Sequence, residues 1–162
     1  MAAVRLATVS DIPVLATLVA ELLQHYDMHV PSKRDISRAI AAQLARGDFL
    51  LAVEDDDLLG FASYVVLFPG LGMEPQLYMK DLYTAAAARG RGVAKALLRG
   101  LARNAKELGC VRIDWTAEQD NTQAQAVYRA LGARIVEDKI YYRLDASAIA
   151  RLSDGEDTEQ SR

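Results

Sequence analysis

Two periods of apolar residues alternate along this chain, and the switches between them mark out its elements. Residues 4–7 alternate in polarity, which predicts a short strand. Ser10 then caps a predicted helix with Pro13 in its first turn, where a missing amide hydrogen costs nothing. Ile12, Leu15, Val19, Leu22 and Tyr26 give that helix one apolar face, and Pro31 ends it. Ser32-Lys33-Arg34-Asp35 resembles a capping box opening a second helix, with Ile36, Ile40 and Leu44 on one side and Gly47 closing it. Residues 49–54 and 58–67 predict two strands joined at Asp55-Asp56-Asp57.

After a loop over 68–72, residues 77–84 predict a further strand, of mixed polarity but rich in Leu and Tyr. The strongest helix signal covers 92–108, where Val93, Leu97, Leu98, Leu101, Ala105 and Leu108 form one stripe. Gly109 stands where a left-handed C-terminal residue belongs. A strand follows over 111–116, with Val111, Ile113 and Trp115 on one face, and then a helix over 121–131 stopped by Gly132. Residues 133–136 and 140–144 read as a closing hairpin. The stretch 153–162 is polar, acidic and aperiodic, and is expected to be a mobile tail. This order predicts a single α/β domain over 1–152, with a mixed central sheet of about seven strands and helices on both faces.

The length of 162 residues suits one domain, and 51% hydrophobic with 25% charged residues is ordinary for a globular chain. A formal net charge of -3 gives no overall basic balance toward nucleic acid or an anionic membrane. The single cysteine, Cys110, rules out an internal disulfide framework and suits a reducing cytoplasm. No signal peptide is read at the N-terminus, and no apolar run reaches the ~18 residues of a membrane span. The expectation is a cytoplasmic protein with neither nucleic acid nor membrane as partner.

Chemistry concentrates at Arg89-Gly90-Arg91-Gly92-Val93-Ala94, between a strand and the strongest helix. Glycines let the backbone turn tightly, and the unpaired amides of a first helical turn, backed by the helix dipole, can receive a phosphate. Arg89 and Arg91 add positive charge; the bland alternative is a surface turn. A P-loop is excluded because no Gly-Lys-Ser/Thr ends the segment. The dinucleotide fingerprint is excluded because it needs a small residue at Lys95 and a strand running directly into the glycines. Asp55-Asp56-Asp57 lacks the ligand spacing of a calcium loop and reads as a hairpin turn. His25 and His29 are four residues apart but lack the glutamate of a zincin, so no metal site is expected. Cys110 and Trp115 read as core residues.

Arg89, Gly92 and Ala94 meet the pattern (Gln/Arg)-x-x-Gly-x-(Gly/Ala), and the segment resembles the GNAT superfamily of N-acetyltransferases. Leu77-Tyr78-Met79-Lys80-Asp81-Leu82-Tyr83-Thr84 resembles that family's fourth strand, and the run from Asn121 to Tyr128-Arg129-Ala130-Leu131-Gly132-Ala133 its Asn…Tyr-x-x-Leu-Gly-Ala segment. The opening strand and two helices match the family order as well. The ends Asp81-Leu82-Tyr83 and Asp120-Asn121-Thr122 are most similar to the spermidine/spermine and related diamine acetyltransferases. Lys80 departs from those enzymes, which carry an amine-facing glutamate there.

The resemblance implies acetyl-CoA as co-substrate and a GNAT-like fold. It places the pyrophosphate on the amides of Gly90, Arg91, Gly92, Val93, Ala94 and Lys95 beside Arg89, and the pantetheine arm along the backbone of Leu82, Tyr83 and Thr84. Asn121 and Thr122 would meet the cofactor arm, although Asn121 alone is also a plain helix cap. Tyr128 would be the general acid that protonates the departing thiolate, although with Ala124, Val127 and Leu131 it also completes an apolar stripe. Asp81 and Glu118 are the local carboxylates available to take the amine proton. Lys80 would face the acceptor and favour a carboxylate on it. Unbroken alternation puts Tyr78, Lys80 and Leu82 on one strand face and Met79, Asp81 and Tyr83 on the other.

The expected activity is transfer of an acetyl group to the primary amine of a small molecule or amino-acid-like acceptor. A protein lysine or N-terminal acetyltransferase and a non-catalytic acyl-CoA-binding module are the alternatives. Family likeness and the apolar Ile140-Tyr141-Tyr142 near an expected sheet edge point to a homodimer.

Overall fold

The computed structural model describes residues 2–44, 48–54 and 57–155. Gly47 and the Asp55-Asp56 part of the expected turn lie outside the described residues, as do residues 156–162 of the expected tail. The chain divides into two units, Met1–Leu131 and Gly132–Arg162.

The first unit is built on a five-stranded sheet in the order β1-β2-β3-β4-β5. These are β1 (Ala3–Leu6), β2 (Asp48–Glu54), β3 (Asp57–Leu67), β4 (Gln76–Thr84) and β5 (Ile113–Asp114). Strands β1 to β4 pair antiparallel, while β5 lies parallel to β4. A parallel neighbour requires a crossover, and α3 (Val93–Glu107) supplies it. Before the sheet's second strand come α1 (Ile12–His25) and α2 (Lys33–Leu44).

Each sheet face carries its own core. On one, Leu50, Ala52, Ala62, Tyr64, Leu77 and Met79 pack with the α3 stripe of Val93, Leu97, Leu98, Leu101 and Ala105. On the other, Leu51, Phe61 and Tyr83 pack with Leu15, Ala16 and Leu18 of α1 and Ile36 and Ile40 of α2. The expected α/β arrangement with helices on both faces is therefore present, with five strands rather than about seven.

The side-chain cap expected from Ser10 does not form. Asp11 holds the N-cap position of α1 without a side-chain bond to that helix, and its carboxylate instead closes the preceding turn, accepting from the Thr8 amide at 2.7 Å and from both terminal nitrogens of Arg5. An ionised side chain gathers these donors more strongly than a hydroxyl can. At α2 half of the expected box forms: the Asp35 amide donates to Ser32 Oγ at 3.2 Å, while the Ser32 hydroxyl donates to the Asp35 carboxylate.

Two strand readings are corrected. The strand expected over 111–116 shortens to Ile113–Asp114, with Val111 exposed. In the second unit, residues 133–136 and 140–144 form no strands, and Ile135, Ile140, Tyr141 and Tyr142 are exposed. Alternating polarity records which side chains a strand would bury, but a ladder also needs a partner edge in register. This unit instead holds α5 (Ala146–Ser153), capped where Asp145 accepts from the Ala148 amide at 2.8 Å.

A bulge in β4 corrects the expected alternation. Asp81 pairs with Ser63 and Met79 with Tyr64, so Lys80 is an extra residue without a ladder partner on β3. Met79 and Leu82 consequently both face α3, while Tyr83 joins the α1/α2 core and Asp81 borders it.

Candidate active site

The glycine loop opens directly onto α3. Gly90 and Gly92 hold φ values of 78° and 79°, the left-handed region that a side chain disfavours, and Gly92 is the helix N-cap. A Cβ at either position would meet nothing within 4 Å, so the loop faces open space. The amides of Gly90, Gly92, Val93, Ala94 and Lys95 find no acceptor among the described residues. The Arg91 amide differs, making a long 3.4 Å bond to the Ala88 carbonyl. Beneath the loop, the buried Val93 side chain fixes the helix start to the sheet. Arg89 and Lys95 are exposed, and the Arg91 guanidinium forms an ion pair with Glu54. Unpaired amides at the positive end of a 15-residue helix make a site for an anion.

Beside the loop the sheet opens. The β4–β5 ladder holds only Leu77 with Ile113 and Tyr78 with Asp114. From Met79 to Thr84 the β5-side edge of β4 has no ladder partner among the described residues. Such backbone groups need a hydrogen-bonding partner, and an extended amide-bearing chain can supply one. Leu82 packs toward α3, Tyr83 is buried on the opposite face, and Thr84 is half-buried. The Tyr83 hydroxyl donates to Glu21 of α1 at 3.2 Å. Burial first, and then the Glu21 charge, push that phenol above its usual range.

Tyr128 lies on α4 (Thr122–Ala130), whose N-cap Asn121 accepts from the Ala124 amide at 3.1 Å through Oδ1. Thr122 is exposed. The Glu118 carbonyl braces this turn, accepting from the Asn121 amide at 3.2 Å and Gln125 Nε2 at 3.0 Å, while the Glu118 side chain is exposed. Tyr128 is half-buried, its ring edge-on to Trp115 at 5.1 Å between centroids. Burial raises the Tyr128 phenol above its ordinary range, and Tyr26 adds to the effect. The hydroxyl therefore stays protonated at neutral pH, able to donate. Trp115, read from sequence as core, packs against the α3 core and also supports Tyr128.

Asp81 is half-buried and accepts from Ser63 Oγ at 2.5 Å. It borders a cavity of about 440 Å³ bounded by α1, α2 and the sheet. Lys80 is exposed and is not among the residues lining that cavity. No hydrogen bond among the described residues joins Tyr128, Asp81 and Glu118 to one another. Ser63, Glu21 and the cavity were not singled out from sequence, because each depends on pairings between distant segments. His25 stacks edge-on with Tyr26 at 5.4 Å, and Cys110 is a partly buried free thiol. Among the described residues, no three His, Cys, Asp or Glu side chains gather as metal ligands. No helix among them is long and apolar enough to cross a membrane.

A helix N-terminus with unpaired amides beside a parted pair of parallel strands makes an anion site next to an open sheet edge in an α/β protein. The family model for the acetyltransferase (GNAT) family matches residues 16–133, and the chain belongs to that family. Among curated relatives, it is 31% identical over 97 residues to a D-amino-acid N-acetyltransferase of Saccharomyces cerevisiae, covering 60% of this chain and 59% of the relative. It is 28% identical to an aminoglycoside N(6')-acetyltransferase type 1 of Salmonella typhimurium, covering 67% and 79%. An L-ornithine N5-acetyltransferase of Arabidopsis thaliana is 26% identical, covering 62% and 44%. The matched region thus spans about three fifths of the yeast enzyme's length and less than half of the plant enzyme's. Among solved structures, an integron cassette protein from the mobile metagenome of V. cholerae superposes with a TM-score of 0.85 at 32% identity, covering 94% of this chain and 97% of that one.

Proposed function

We propose that this GNAT acetyltransferase uses acetyl-CoA to acetylate the primary amine of a small or amino-acid-like molecule. The observation that carries the reading is the set of unpaired amides of Gly90, Gly92, Val93, Ala94 and Lys95 at the start of α3. When bound, acetyl-CoA supplies the acetyl group as a reactive thioester. Its pyrophosphate suits the amides of Gly90, Gly92, Val93, Ala94 and Lys95, with Arg89 nearby and the Arg91 side chain released from Glu54. The open edge at Leu82, Tyr83 and Thr84 offers main-chain partners to the amides of the pantetheine arm, and we assign Asn121 and Thr122 to the same arm.

Alkyl amines have pKa values near ~10, so one must lose a proton before it attacks a carbonyl. Asp81 and Glu118 are the carboxylates we assign to that proton, through water. Tyr128, whose phenol burial raises further above its ordinary range, delivers a proton to the departing sulfur. Main-chain amides along β4 can stabilise negative charge on the carbonyl oxygen. Lys80, exposed next to Asp81, would attract a carboxylate on the acceptor. The relatives' named acceptors are all amines, namely D-amino acids, aminoglycosides and ornithine. We place the protein in the cytoplasm as a homodimer, with exposed Ile140, Tyr141 and Tyr142 as the contact.

A thiol-release assay with acetyl-CoA and a broad amine panel tests this reading. Release that depends on a small amine supports it. Transfer only to peptides or proteins favours a protein acetyltransferase, and acetyl-CoA binding without transfer to any amine favours a ligand-binding module.

A further inference from the structure

The cavity between α1, α2 and the sheet has a lining more apolar than the named acceptors of the relatives would suggest. Leu22, Ile36, Ile40, Phe49 and Phe61 form its walls, and Asp81 is the carboxylate on its sheet side. The other acidic wall residue, Asp35, is occupied elsewhere, accepting from Ser32 Oγ at 2.5 Å and lying 3.5 Å from Arg38. Asp81 has a hydrogen bond from Ser63 but no ion pair among the described residues. The cavity therefore combines a largely apolar lining with one carboxylate, Asp81, that has no ion-pair partner among the described residues. Its volume of about 440 Å³ falls within the usual ~300–1,000 Å³ of small-molecule sites.

The β4 bulge turns Asp81 toward this cavity. Because the ladder skips Lys80, Asp81 stands on the α1/α2 side, within the stretch of β4 from Met79 to Thr84 whose other edge is open. We infer that the cavity receives the acceptor, and that the acceptor is an amine with one positive charge near an aromatic or branched-alkyl body. This rests on the N-acetyltransferase reading. The ammonium group would pair with Asp81 while its body replaces water against Phe49, Phe61 and Leu22. A polyamine fits poorly, because its further ammonium groups would enter an apolar wall with no second free carboxylate to meet them. An amine and its amino acid, such as 2-phenylethylamine and phenylalanine, share this chemistry and differ only in the carboxylate that Lys80 would read.

The test measures kcat/KM by thiol release for 2-phenylethylamine, isoamylamine, phenylalanine, spermidine and a lysine-containing peptide. The comparison includes wild type, Asp81→Asn and Ala39→Phe. Ala39 lines the cavity from an exposed position on α2, so a phenyl group there narrows the chamber without replacing a buried residue. At least one apolar amine or phenylalanine is expected to exceed spermidine and the peptide by tenfold or more. Ala39→Phe is expected to raise its KM at least tenfold, with the melting temperature and acetyl-CoA affinity by calorimetry unchanged. Asp81→Asn is expected to lower kcat/KM for the same substrate by at least tenfold. If spermidine or the peptide is preferred, or if Ala39→Phe leaves KM unaltered, the inference is overturned while the acetyltransferase reading stands. Acetyl-CoA binding without transfer to any of these amines overturns the acceptor class as well as catalysis, and loss of acetyl-CoA binding itself overturns the cofactor assignment beneath both.

Discussion

Ser63 donates its hydroxyl to Asp81 across the β3–β4 pair at 2.5 Å, beside the point where the ladder skips Lys80. Ser63 is the one polar side chain in the buried set among the described residues, at 9% exposure. A buried hydroxyl aimed at a carboxylate fixes its orientation, and such a bond contributes about 1.5–3 kcal/mol. Ser63→Ala should therefore destabilise the fold by about 1–2 kcal/mol in urea unfolding, since Asp81 keeps partial access to water. With Asp81 less firmly held, KM for the amine should rise roughly three- to tenfold while kcat changes less. A fall in kcat at constant KM would show that Ser63 acts on the chemical step instead.

Gly92→Glu tests the anion site. At φ 79° any side chain strains the N-cap, and a carboxylate at the mouth of the unpaired amides adds repulsion toward phosphate. Calorimetry should show acetyl-CoA affinity reduced at least a hundredfold. Gly92→Ala carries the strain without the charge and should lose much less. Equal affinity in the wild type and both variants would move the pyrophosphate away from α3.

Much of this was legible along the chain, and most of the misses share one cause. The α3 stripe from Val93 to Ala105 and the glycines before it are local features, and they fold as read. β4 was legible as a strand, but the facing of Met79 and Lys80 was not, because the bulge exists only in register with β3. The cavity is built from α1, α2, β2, β3 and β4 together, so no window of sequence contains it. Residues 140–144 are rich enough in branched and aromatic side chains to suggest a strand, yet no ladder forms. α5 did leave a local sign, Asp145 three residues before Ala148, which the hairpin reading passed over.

The Asp11 carboxylate gives stability a pH signature. Hydrogen bonding by Arg5, opposed by some burial and helped by Thr8, holds the Asp11 carboxyl well below the usual carboxylate range. A depressed folded-state value means the stabilisation is fully present above the unfolded value of about 3.9 and is lost as pH falls toward the folded one. Asp11→Ala should cost about 1–2 kcal/mol at pH 7 through the lost charge-assisted bonds to Arg5 and Thr8. The gap between variant and wild type in urea melts should narrow steadily below pH 4. A gap that stays constant down to pH 2 would show that the Asp11 charge contributes nothing and only its shape matters.

Tyr128 provides the sharpest separation of packing from chemistry. Its ring rests edge-on against Trp115 and packs on the α3 core, so Tyr128→Phe keeps the apolar contacts and removes only the hydroxyl. Melting temperature and acetyl-CoA affinity should stay close to wild type. General acid catalysis contributes typically about 10²–10⁴-fold, and kcat should fall by that much with little change in KM. The wild-type phenol is raised by burial, so the alkaline limb of its rate profile should lie above the ordinary tyrosine value of about 10. In Tyr128→Phe that limb should vanish if the hydroxyl is the acid. Tyr128→Ala separates the two roles: it should lose stability by about 3 kcal/mol or less, given half-burial, along with the rate. An undiminished kcat in Tyr128→Phe with a confirmed amine would leave Tyr128 as a packing residue beside Trp115 and pass protonation of the thiolate to water.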